Sequence, residues 1–209
     1  MPSGVCAVLL AAGAGSRFGG SKLLAPYGGR PLIEAALSNL AGSAVDATVV
    51  VVGDGASALR EVCEKYGVRV VENPDWSQGQ STSVRAGLAA CGPDVRAAVV
   101  LLADQPLVGA GAVERLVEAY EEGAKVAVAT YDGRPRNPVL FSREVWPLVL
   151  RELSGDEGAR VFIRGHPELV EHVACDGVGD PADVDTREDL RRLERMHGRE
   201  HNYKIGRRG

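Results

Sequence analysis

The sequence has no excess of positive charge, no closely spaced cysteines and no long hydrophobic run. Its formal net charge is -4, whereas proteins that follow nucleic-acid phosphates usually carry excess Lys and Arg, so a nucleic-acid partner is not expected. The four cysteines lie far apart, which excludes a zinc knuckle or a redox motif and predicts free, buried thiols. No apolar stretch approaches the roughly 20 residues of a membrane span, and the N-terminus lacks a basic leader. These absences predict a cytoplasmic protein without a membrane partner.

The bulk composition is that of an ordinary globular domain. The chain has 209 residues, of which 45% are hydrophobic and 25% charged, and this length suits one α/β domain. No internal repeat or low-complexity segment divides it. We therefore predict a single domain over residues 1–196 and a flexible polar tail over residues 197–209, where no apolar pattern is present.

Short apolar runs alternate with helical patterns from residue 5 to residue 130. The runs are rich in Val, Leu and Ala, as in parallel strands covered on both faces; they are Val5–Ala11, Thr48–Val52, Val68–Val71, Ala97–Ala103 and Lys125–Thr130. Between them, apolar residues recur at helical spacing around residues 59–66, 84–91 and 113–120. This alternation predicts an α/β fold with a doubly wound, mostly parallel sheet and helices on both faces.

The pattern changes after Thr130. Residues 131–138 contain Gly, Asn and two Pro, which indicate a loop or a sheet-edge segment before a short strand at Val139–Phe141. We then predict helices over residues 143–153 and 157–164, a strand near 169–174, and a last helix over 187–196 that Thr186 caps.

A glycine-rich loop with two cations follows the first strand. It runs from Leu10 to Lys22 with the sequence LAAGAGSRFGGSK. Glycines let backbone amides approach phosphates closely, and Arg17 and Lys22 add positive charge. The loop departs from the dinucleotide fingerprint because position 18 is Phe, and it lacks the Gly-Lys-Ser/Thr of a P-loop. A surface turn is the alternative, but the two cations favour a phosphate-binding loop.

The loop and six later segments together resemble the MobA-like NTP transferases. The later matches are GRPL from Gly29, NPDWSQGQS from Asn73, ADQP from Ala103, NPVLF from Asn137, GDEGAR from Gly155 and DVDT from Asp183. Within that family the chain is most similar to molybdenum cofactor cytidylyltransferases and to accessory proteins of xanthine and carbon monoxide dehydrogenases. The resemblance covers about residues 5 to 195. It implies a Rossmann-like fold of the nucleotide-diphospho-sugar transferase type.

The resemblance implies a nucleotide site around the loop. It assigns the backbone near Ala12 to the base, and Arg17 and Lys22 to the phosphates, where cations would stabilise developing charge. Ser81, assigned with Gly79 to base and ribose, is also a good helix N-cap, and Trp76 suits packing as well as binding. The expected nucleotide-binding residues are Leu10, Ala11, Ala12, Gly13, Ala14, Gly15, Arg17, Lys22, Gly79, Ser81 and Asp104, and the expected catalytic residues are Arg17, Lys22 and Asp104.

Two aspartates are the expected ligands of Mg²⁺. Asp104 follows a wholly apolar strand, at the edge of the sheet where ligands bind, and a carboxylate there would be a poor core residue. The resemblance makes Asp104 one ligand and Asp185 the second, with Asp183 the weaker candidate. Two carboxylates, phosphate oxygens and waters suit Mg²⁺, which rarely takes an all-protein cage.

The second half of the chain holds the expected acceptor site. Its arginines suit a phosphorylated, electron-rich acceptor such as a pterin phosphate. The expected acceptor-binding residues are Gln105, Pro106, Arg136, Asn137, Asp156 and Arg160. Arg136 departs from the family, which often has Gly before the His/Asn-Pro-Val motif, and the departure bears on the identity of the acceptor. His166 and His172 are interpreted as surface or partly packed residues and not as catalysts.

The resemblance implies transfer of CMP from CTP to the phosphate of molybdopterin cofactor, with release of pyrophosphate. Ala12 favours CTP, because the guanylyl-transferring branch usually has Gly there. The alternatives are guanylyl transfer, nucleotidyl transfer to an isoprenoid precursor or sugar phosphate, a cofactor-delivery chaperone, and a dinucleotide-binding oxidoreductase. The broken fingerprint weakens the last of these. An apo-molybdenum hydroxylase is a candidate protein partner.

Overall fold

The computed structural model describes residues 4–13, 15–53 and 56–205. The strands are β1 (Val5–Ala11), β2 (Pro26–Tyr27), β3 (Arg30–Pro31), β4 (Ala47–Val52), β5 (Arg69–Glu72), β6 (Ala97–Leu102), β7 (Val126–Tyr131), β8 (Arg134–Ser142) and β9 (Val170–Ala174). The helices are α1 (Ile33–Ala41), α2 (Ser57–Glu64), α3 (Gln80–Ala90), α4 (Ala110–Glu121), α5 (Trp146–Glu152), α6 (Arg160–Gly165) and α7 (Arg187–Ile205).

Seven of the strands form one sheet, in the order β5-β4-β1-β6-β8-β7-β9. β1 is parallel to β4 and β6, in registers that pair Ala11 with Val52 and Leu10 with Leu102. β5 and β9 extend the sheet in parallel at its two edges, while β8 is antiparallel to both neighbours. β2 and β3 form a separate hairpin. Because β1, β4 and β6 are parallel neighbours, their carboxyl ends form one edge, where ligands bind in such folds.

Helices cover both faces of the sheet because the strands are apolar on both faces. Every residue of β1 is buried, as expected for a central parallel strand. Its odd-numbered residues pack into a core with side chains of α1, α2, α4 and α7. Its even-numbered residues pack into a second core with side chains of α3, α5 and α6. The predicted doubly wound, mostly parallel fold is therefore confirmed.

The local predictions are confirmed where the apolar pattern was continuous. Each of the five apolar runs forms a strand, and both ends lie within one residue of the predicted ones. Thr186 caps α7: the Asp189 amide donates to Thr186 Oγ1 at 3.1 Å, and the Thr186 amide donates to Asp189 Oδ2 at 2.8 Å. The cysteines are buried, free thiols, as predicted.

The segment after Thr130 differs from the prediction. The predicted strand at Val139–Phe141 forms, but as part of a longer strand: β8 runs from Arg134 to Ser142 and lies inside the sheet, in place of a loop or sheet-edge segment over residues 131–138. β6 pairs with residues 139–142 of β8, while Arg134 and Pro135 pair with β7. Pro135 and Pro138 are tolerated because this first half of β8 extends past the end of β6. The N–H groups that they lack would therefore not have bonded to β6. The extension brings residues 134–137 to the carboxyl edge of β6.

Two further differences concern helices and a hairpin. The β2-β3 hairpin and α1 occupy residues 26–41, where the apolar spacing predicted no element. α7 continues to Ile205, beyond the predicted end of the last helix at Met196. Residues 206–209 of the predicted tail lie outside the described residues.

Candidate functional site

The glycine-rich loop leaves β1 at the carboxyl edge of the sheet. Gly13 is exposed there, whereas Phe18 is buried in the core and anchors the loop. Gly15 has φ +58, a conformation that favours glycine, and its carbonyl accepts a hydrogen bond from the Phe18 amide at 2.9 Å. The turn therefore returns the chain to the sheet before Lys22. Ala14 lies outside the described residues.

Lys22 and Asp104 form the ion pair at the centre of the site. Lys22 Nζ donates to Asp104 Oδ2 at 2.6 Å, and the two side chains are 11% and 25% exposed. Lys22 begins a short 3-10 turn whose next residue, Leu23, is buried. Asp104 follows β6, whose end is held to β1 by a bond from the Ala103 amide to the Leu10 carbonyl at 3.0 Å. The positions of the Lys22 and Asp104 side chains are therefore set by backbone segments that packing and hydrogen bonds hold in place.

Asp185 brings a second carboxylate to the same lysine. Its Oδ1 lies 3.5 Å from Lys22 Nζ, and its Oδ2 accepts a bond from Arg17 at 3.0 Å. The Val184 amide donates to the Asp104 carbonyl at 2.9 Å, which holds the two acidic segments side by side. The structure therefore brings Arg17, Lys22, Asp104 and Asp185 together, in two pairs of opposite charge.

Gln105 holds a third carboxylate near this group. It is 4% exposed, and its Nε2 donates to Asp183 Oδ1 at 2.9 Å and to the Pro181 carbonyl at 3.0 Å. The pKa of Asp183 is raised, first because the surrounding protein desolvates its carboxylate and second because Asp104 is negatively charged. The weaker candidate Asp183 thus lies beside the acid pair, and Gln105 supports it. That support had no signal in the sequence.

The start of α3 closes the site from the other side. Gly79 takes the N-cap position with φ +119, and an added Cβ would lie 2.5 Å from the backbone carbon of Gly155. The loop before α6 therefore packs directly on this glycine. Ser81 is not the cap that the sequence suggested: α3 begins at Gln80, and Ser81 is buried in its first turn.

Two adjoining cavities lie along the carboxyl ends of β1 and β4. One has a volume of about 400 Å³ and the other about 430 Å³, and they share Ala12, Gly13 and Trp76 as walls. The predicted nucleotide-binding residues that line them are Leu10, Ala11, Ala12, Gly13, Lys22 and Asp104. Gly15, Arg17, Gly79 and Ser81 lie outside the lining; Gly79 and Ser81 are buried, and Arg17 contacts Asp185.

A third cavity, of about 710 Å³, continues from the second. Gln80, Leu102 and Asp156 line both. The predicted acceptor-binding residues that line the third cavity are Gln105, Arg136, Asn137, Asp156 and Arg160. Arg164 lines it as well and was missed, although it follows Arg160 by one helical turn.

Pro106 is the predicted acceptor-binding residue that the structure places elsewhere. It is buried, and its carbonyl accepts a hydrogen bond from Asn39 of α1 at 3.2 Å. The chain turns away from the cavities directly after Gln105, so Pro106 links the segment after β6 to α1 and does not line the third cavity.

The two histidines lie away from the charged group. His166 follows α6 and contacts Glu152 at 2.8 Å and Glu168 at 3.3 Å. The pKa of His166 is raised, first by the hydrogen bond to Glu152. His172 lies exposed on β9.

The donor set fits a divalent cation that keeps waters or phosphate oxygens. Asp104 and Asp185 both lie within 3.5 Å of one ammonium nitrogen, so their carboxylates face a common point that already holds a cation. Within residues 4–13, 15–53 and 56–205, no three or more His, Cys, Asp or Glu side chains are arranged to hold a metal ion. A pair of carboxylates suits a hard cation such as Mg²⁺ better than a metal that needs a complete protein cage.

Comparison with known sequences identifies relatives over nearly the whole chain. A sequence model of the MobA-like NTP transferase domain matches residues 7–173. Nicotine blue oxidoreductase from Paenarthrobacter nicotinovorans is 38% identical over 199 residues, which cover 90% of this chain and 96% of that protein. 2-C-methyl-D-erythritol 4-phosphate cytidylyltransferase from Streptomyces coelicolor is 32% identical over 136 residues, 61% of this chain and 50% of that protein.

Comparison with solved structures gives the same fold. Rv0371c from Mycobacterium tuberculosis H37Rv superimposes with a TM-score of 0.82 and 30% identity, over 93% of this chain and 100% of that chain. Its complex with manganese superimposes with a TM-score of 0.77 and 31% identity, over 91% of this chain and 98% of that chain. Over the described part of this chain, no helix is long and apolar enough to cross a membrane.

Proposed function

The chain belongs to the MobA-like NTP transferase family, and on that premise we propose that it transfers CMP from CTP to the phosphate of molybdopterin cofactor and releases pyrophosphate. The observation that carries the proposal is that Lys22 lies within 3.5 Å of both Asp104 and Asp185, while Lys22 lines the first of the two smaller cavities and Asp104 lines the second, which adjoins the third cavity. Nucleotidyl transfer needs cations and metal-binding acids at this junction, because negative charge concentrates there during the reaction.

The proposed reaction needs no nucleophile from the protein. An oxygen of the acceptor phosphate attacks the α-phosphorus of CTP and forms a new P–O bond. The bond from the α-phosphorus to the oxygen that bridges to the β-phosphorus breaks, and pyrophosphate leaves with that electron pair. Lys22 and Arg17 would bind the triphosphate and stabilise the charge of the departing pyrophosphate. The protein therefore acts by positioning and electrostatic stabilisation.

We propose Mg²⁺ as the metal, held by Asp104 and Asp185. A bound divalent cation would supply Lewis-acid stabilisation of the phosphate charge. The manganese complex of Rv0371c supports a divalent cation in this fold. Lys22 and Arg17 would neutralise further negative charge on the phosphates.

The cavity walls support CTP and an anionic acceptor. The cavity beside Ala12 is small, about 400 Å³, and Ala12 stands where the guanylyl-transferring branch of the family usually has Gly. The cytidylyltransferase of Streptomyces coelicolor is a relative that carries CTP chemistry in its name. Arg136 and Arg160 line the larger cavity together with Val139 and Ile163, so the lining combines positive charge with apolar surface. Such a lining suits a phosphate attached to a planar ring system.

A redox function is the second candidate, because a relative with 38% identity is named nicotine blue oxidoreductase. In that case the cleft would hold a nicotinamide dinucleotide, and the acid pair would have no metal to bind. The two functions make opposite demands on Asp104, which is required for metal-assisted transfer and dispensable for hydride transfer.

Steady-state kinetics with each nucleotide tests the proposal. We expect pyrophosphate release to require both a divalent cation and molybdopterin, with kcat/KM higher for CTP than for GTP, ATP or UTP. A preference for GTP would overturn the assignment of cytosine as the base but not the proposed nucleotidyl transfer. Oxidation of NADH or NADPH in the presence of a quinone-like dye, without pyrophosphate release from any NTP, would overturn the proposal in favour of the redox function.

We also propose that the product passes to an apo-molybdenum hydroxylase in the cytoplasm. The buried free thiols Cys6, Cys63, Cys91 and Cys175 suit a reducing compartment. Two experiments test the assignment. The chain should co-purify with such an enzyme, and in cells that lack the activity of this chain that enzyme should fail to acquire its nucleotide-bearing cofactor.

A further inference from the structure

Lys22 lies between the two carboxylates that would hold the cation. Its ammonium group bonds to Asp104 at 2.6 Å and lies 3.5 Å from Asp185. The Lys22 side chain is 11% exposed, so solvent screens this interaction less than it screens a surface ion pair. Arg17 adds a second contact to Asp185 at 3.0 Å, but its side chain is 77% exposed. Lys22 therefore interacts with the two carboxylates more strongly than Arg17 does.

A lysine in this position competes with a divalent cation. The oxygens that contact Lys22 Nζ are the oxygens that a metal would need, and two cations cannot share them at hydrogen-bond distance without strong repulsion. The backbone of Lys22 is fixed by the following turn, in which the Leu24 amide donates to the Ser21 carbonyl at 3.1 Å and Leu23 is buried. The conflict is therefore resolved by movement of the lysine side chain and not of the loop.

We propose that in the nucleotide-free protein Lys22 occupies the carboxylate oxygens of Asp104 and Asp185 and thereby hinders the binding of divalent cations, which we call the Lys22 block. This inference rests on the proposed function, because it takes the two aspartates as the metal ligands. A triphosphate offers the ammonium group another anionic partner, so nucleotide binding frees the acids. By reciprocity, the metal then favours the nucleotide to the same extent as the nucleotide favours the metal. Lys22 thereby acts as a positioning residue that makes metal and nucleotide bind together.

The test is the affinity of the nucleotide-free protein for Mn²⁺, measured by electron paramagnetic resonance of the free ion. Lys22→Met keeps the length of the side chain and removes its charge. We expect this variant to bind Mn²⁺ about 10-fold or more tightly than the unmodified protein, the factor that one charge-assisted contact is worth. Lys125→Met is the matched control, since Lys125 also pairs with an acid, Glu144 at 3.3 Å, but outside the cleft; its Mn²⁺ affinity should not change.

The outcomes separate this inference from the proposed function. Equal Mn²⁺ affinity in Lys22→Met and in the unmodified protein would overturn the block, even if the unmodified protein turns over CTP. Tighter binding in Lys22→Met that disappears in the Lys22→Met, Asp104→Asn double variant would support it, even if CTP is not the substrate. Tighter binding that persists in the double variant would also overturn it, because the gain would then come from another site.

Discussion

Asp104 is the residue on which the proposed chemistry depends most. Its carboxylate contacts Lys22, and its carbonyl holds the segment that carries Asp185. We expect Asp104→Asn to reduce kcat/KM by about 100-fold or more, since metal-stabilised charge contributes several kcal/mol to transfer. The free energy of unfolding should fall by only about 1–2 kcal/mol, because Asp185 still lies 3.5 Å from Lys22 Nζ and keeps a carboxylate beside the lysine.

Chemical denaturation and pyrophosphate release separate these two effects for Asp104. Asp94→Asn is the matched control, because Asp94 is exposed and lies outside the cavities. Full activity in a folded Asp104→Asn protein would remove this aspartate from the mechanism.

The loop cations should differ in importance because they differ in burial. Lys22→Ala should lower kcat/KM at least about 10-fold, as expected for a charge-assisted phosphate contact, with part of the loss in kcat. Arg17→Ala should cost less, because Arg17 is 77% exposed and contacts Asp185 alone among the described residues. Lys125→Ala controls for loss of a surface lysine. Normal kinetics in both loop variants would leave the loop as a turn without a phosphate-binding role.

At the scale of elements, Gly79 joins α3 to the loop that precedes α6. Its positive φ and the 2.5 Å distance from an added Cβ to the Gly155 backbone leave no room for a side chain. We expect Gly79→Ala to destabilise the fold by about 1–3 kcal/mol, through strain and loop displacement. It should also raise KM for the acceptor, because Asp156 and Arg160 follow Gly155 and line the acceptor cavity.

Gly92→Ala is the control for Gly79→Ala, because an added Cβ at Gly92 meets nothing within 4 Å. Urea denaturation of both variants gives the comparison. Equal stability of the two variants would contradict the close contact at Gly79.

His166 links α5 to the chain that enters β9, and the link should depend on pH. The pKa of His166 is raised in the folded protein, first by the bond to Glu152. A raised folded pKa means that the stabilisation is complete below the ordinary value of about 6.5 and is lost as the pH rises through the folded pKa. The difference in Tm between the unmodified protein and His166→Asn should therefore be positive at pH 6 and shrink as the pH rises to 9.

His172→Asn, at an exposed position on β9, is the control in the same thermal scans. A Tm difference for His166→Asn that stays constant between pH 6 and pH 9 would contradict the charged pairing.

The elements that the sequence predicted well are those whose identity depends on local pattern. β1, β4, β6 and β7 are continuous apolar runs because most or all of their residues are buried on both faces of the sheet. The second half of β8 contains the strand predicted at Val139–Phe141. Its first half escaped prediction because it pairs with β7 beyond the end of β6, and that tertiary position decides whether Pro135 and Pro138 are tolerated. The helix α1 escaped because its short amphipathic pattern follows directly on a hairpin.

The features of the site also divide into those that local sequence predicts and those that depend on the tertiary fold. Asp104 could be predicted because a carboxylate after an apolar strand must lie at the ligand-binding edge. The contacts from Lys22 to Asp104 and from Gln105 to Asp183 could not, because residues 82 and 78 positions apart are brought together by the order of strands in the sheet. Pro106 shows the opposite case, since a residue next to the site in sequence turns away from it in space.

At the scale of the whole molecule, the three cavities form one path along the carboxyl edge of the sheet. The two smaller cavities adjoin at Ala12, and the acceptor cavity adjoins the second at Asp156. Lys22 lines the first cavity and Asp104 the second. Under the proposed function, a nucleotide and an acceptor in neighbouring cavities would bring their phosphates together beside these charges. The arrangement suits a reaction between two phosphate groups better than one between two ring systems.

The measurement that tests this account most directly is the fate of the α-phosphate of CTP. With CTP labelled at the α-phosphorus, a divalent cation and molybdopterin, we expect the label to appear on the acceptor as a pyrophosphate-linked CMP. With CTP labelled at the γ-phosphorus, we expect all released label in pyrophosphate. Label from the α-position that remains in CTP, or that is released as free CMP without entering the acceptor, would contradict nucleotidyl transfer at this site.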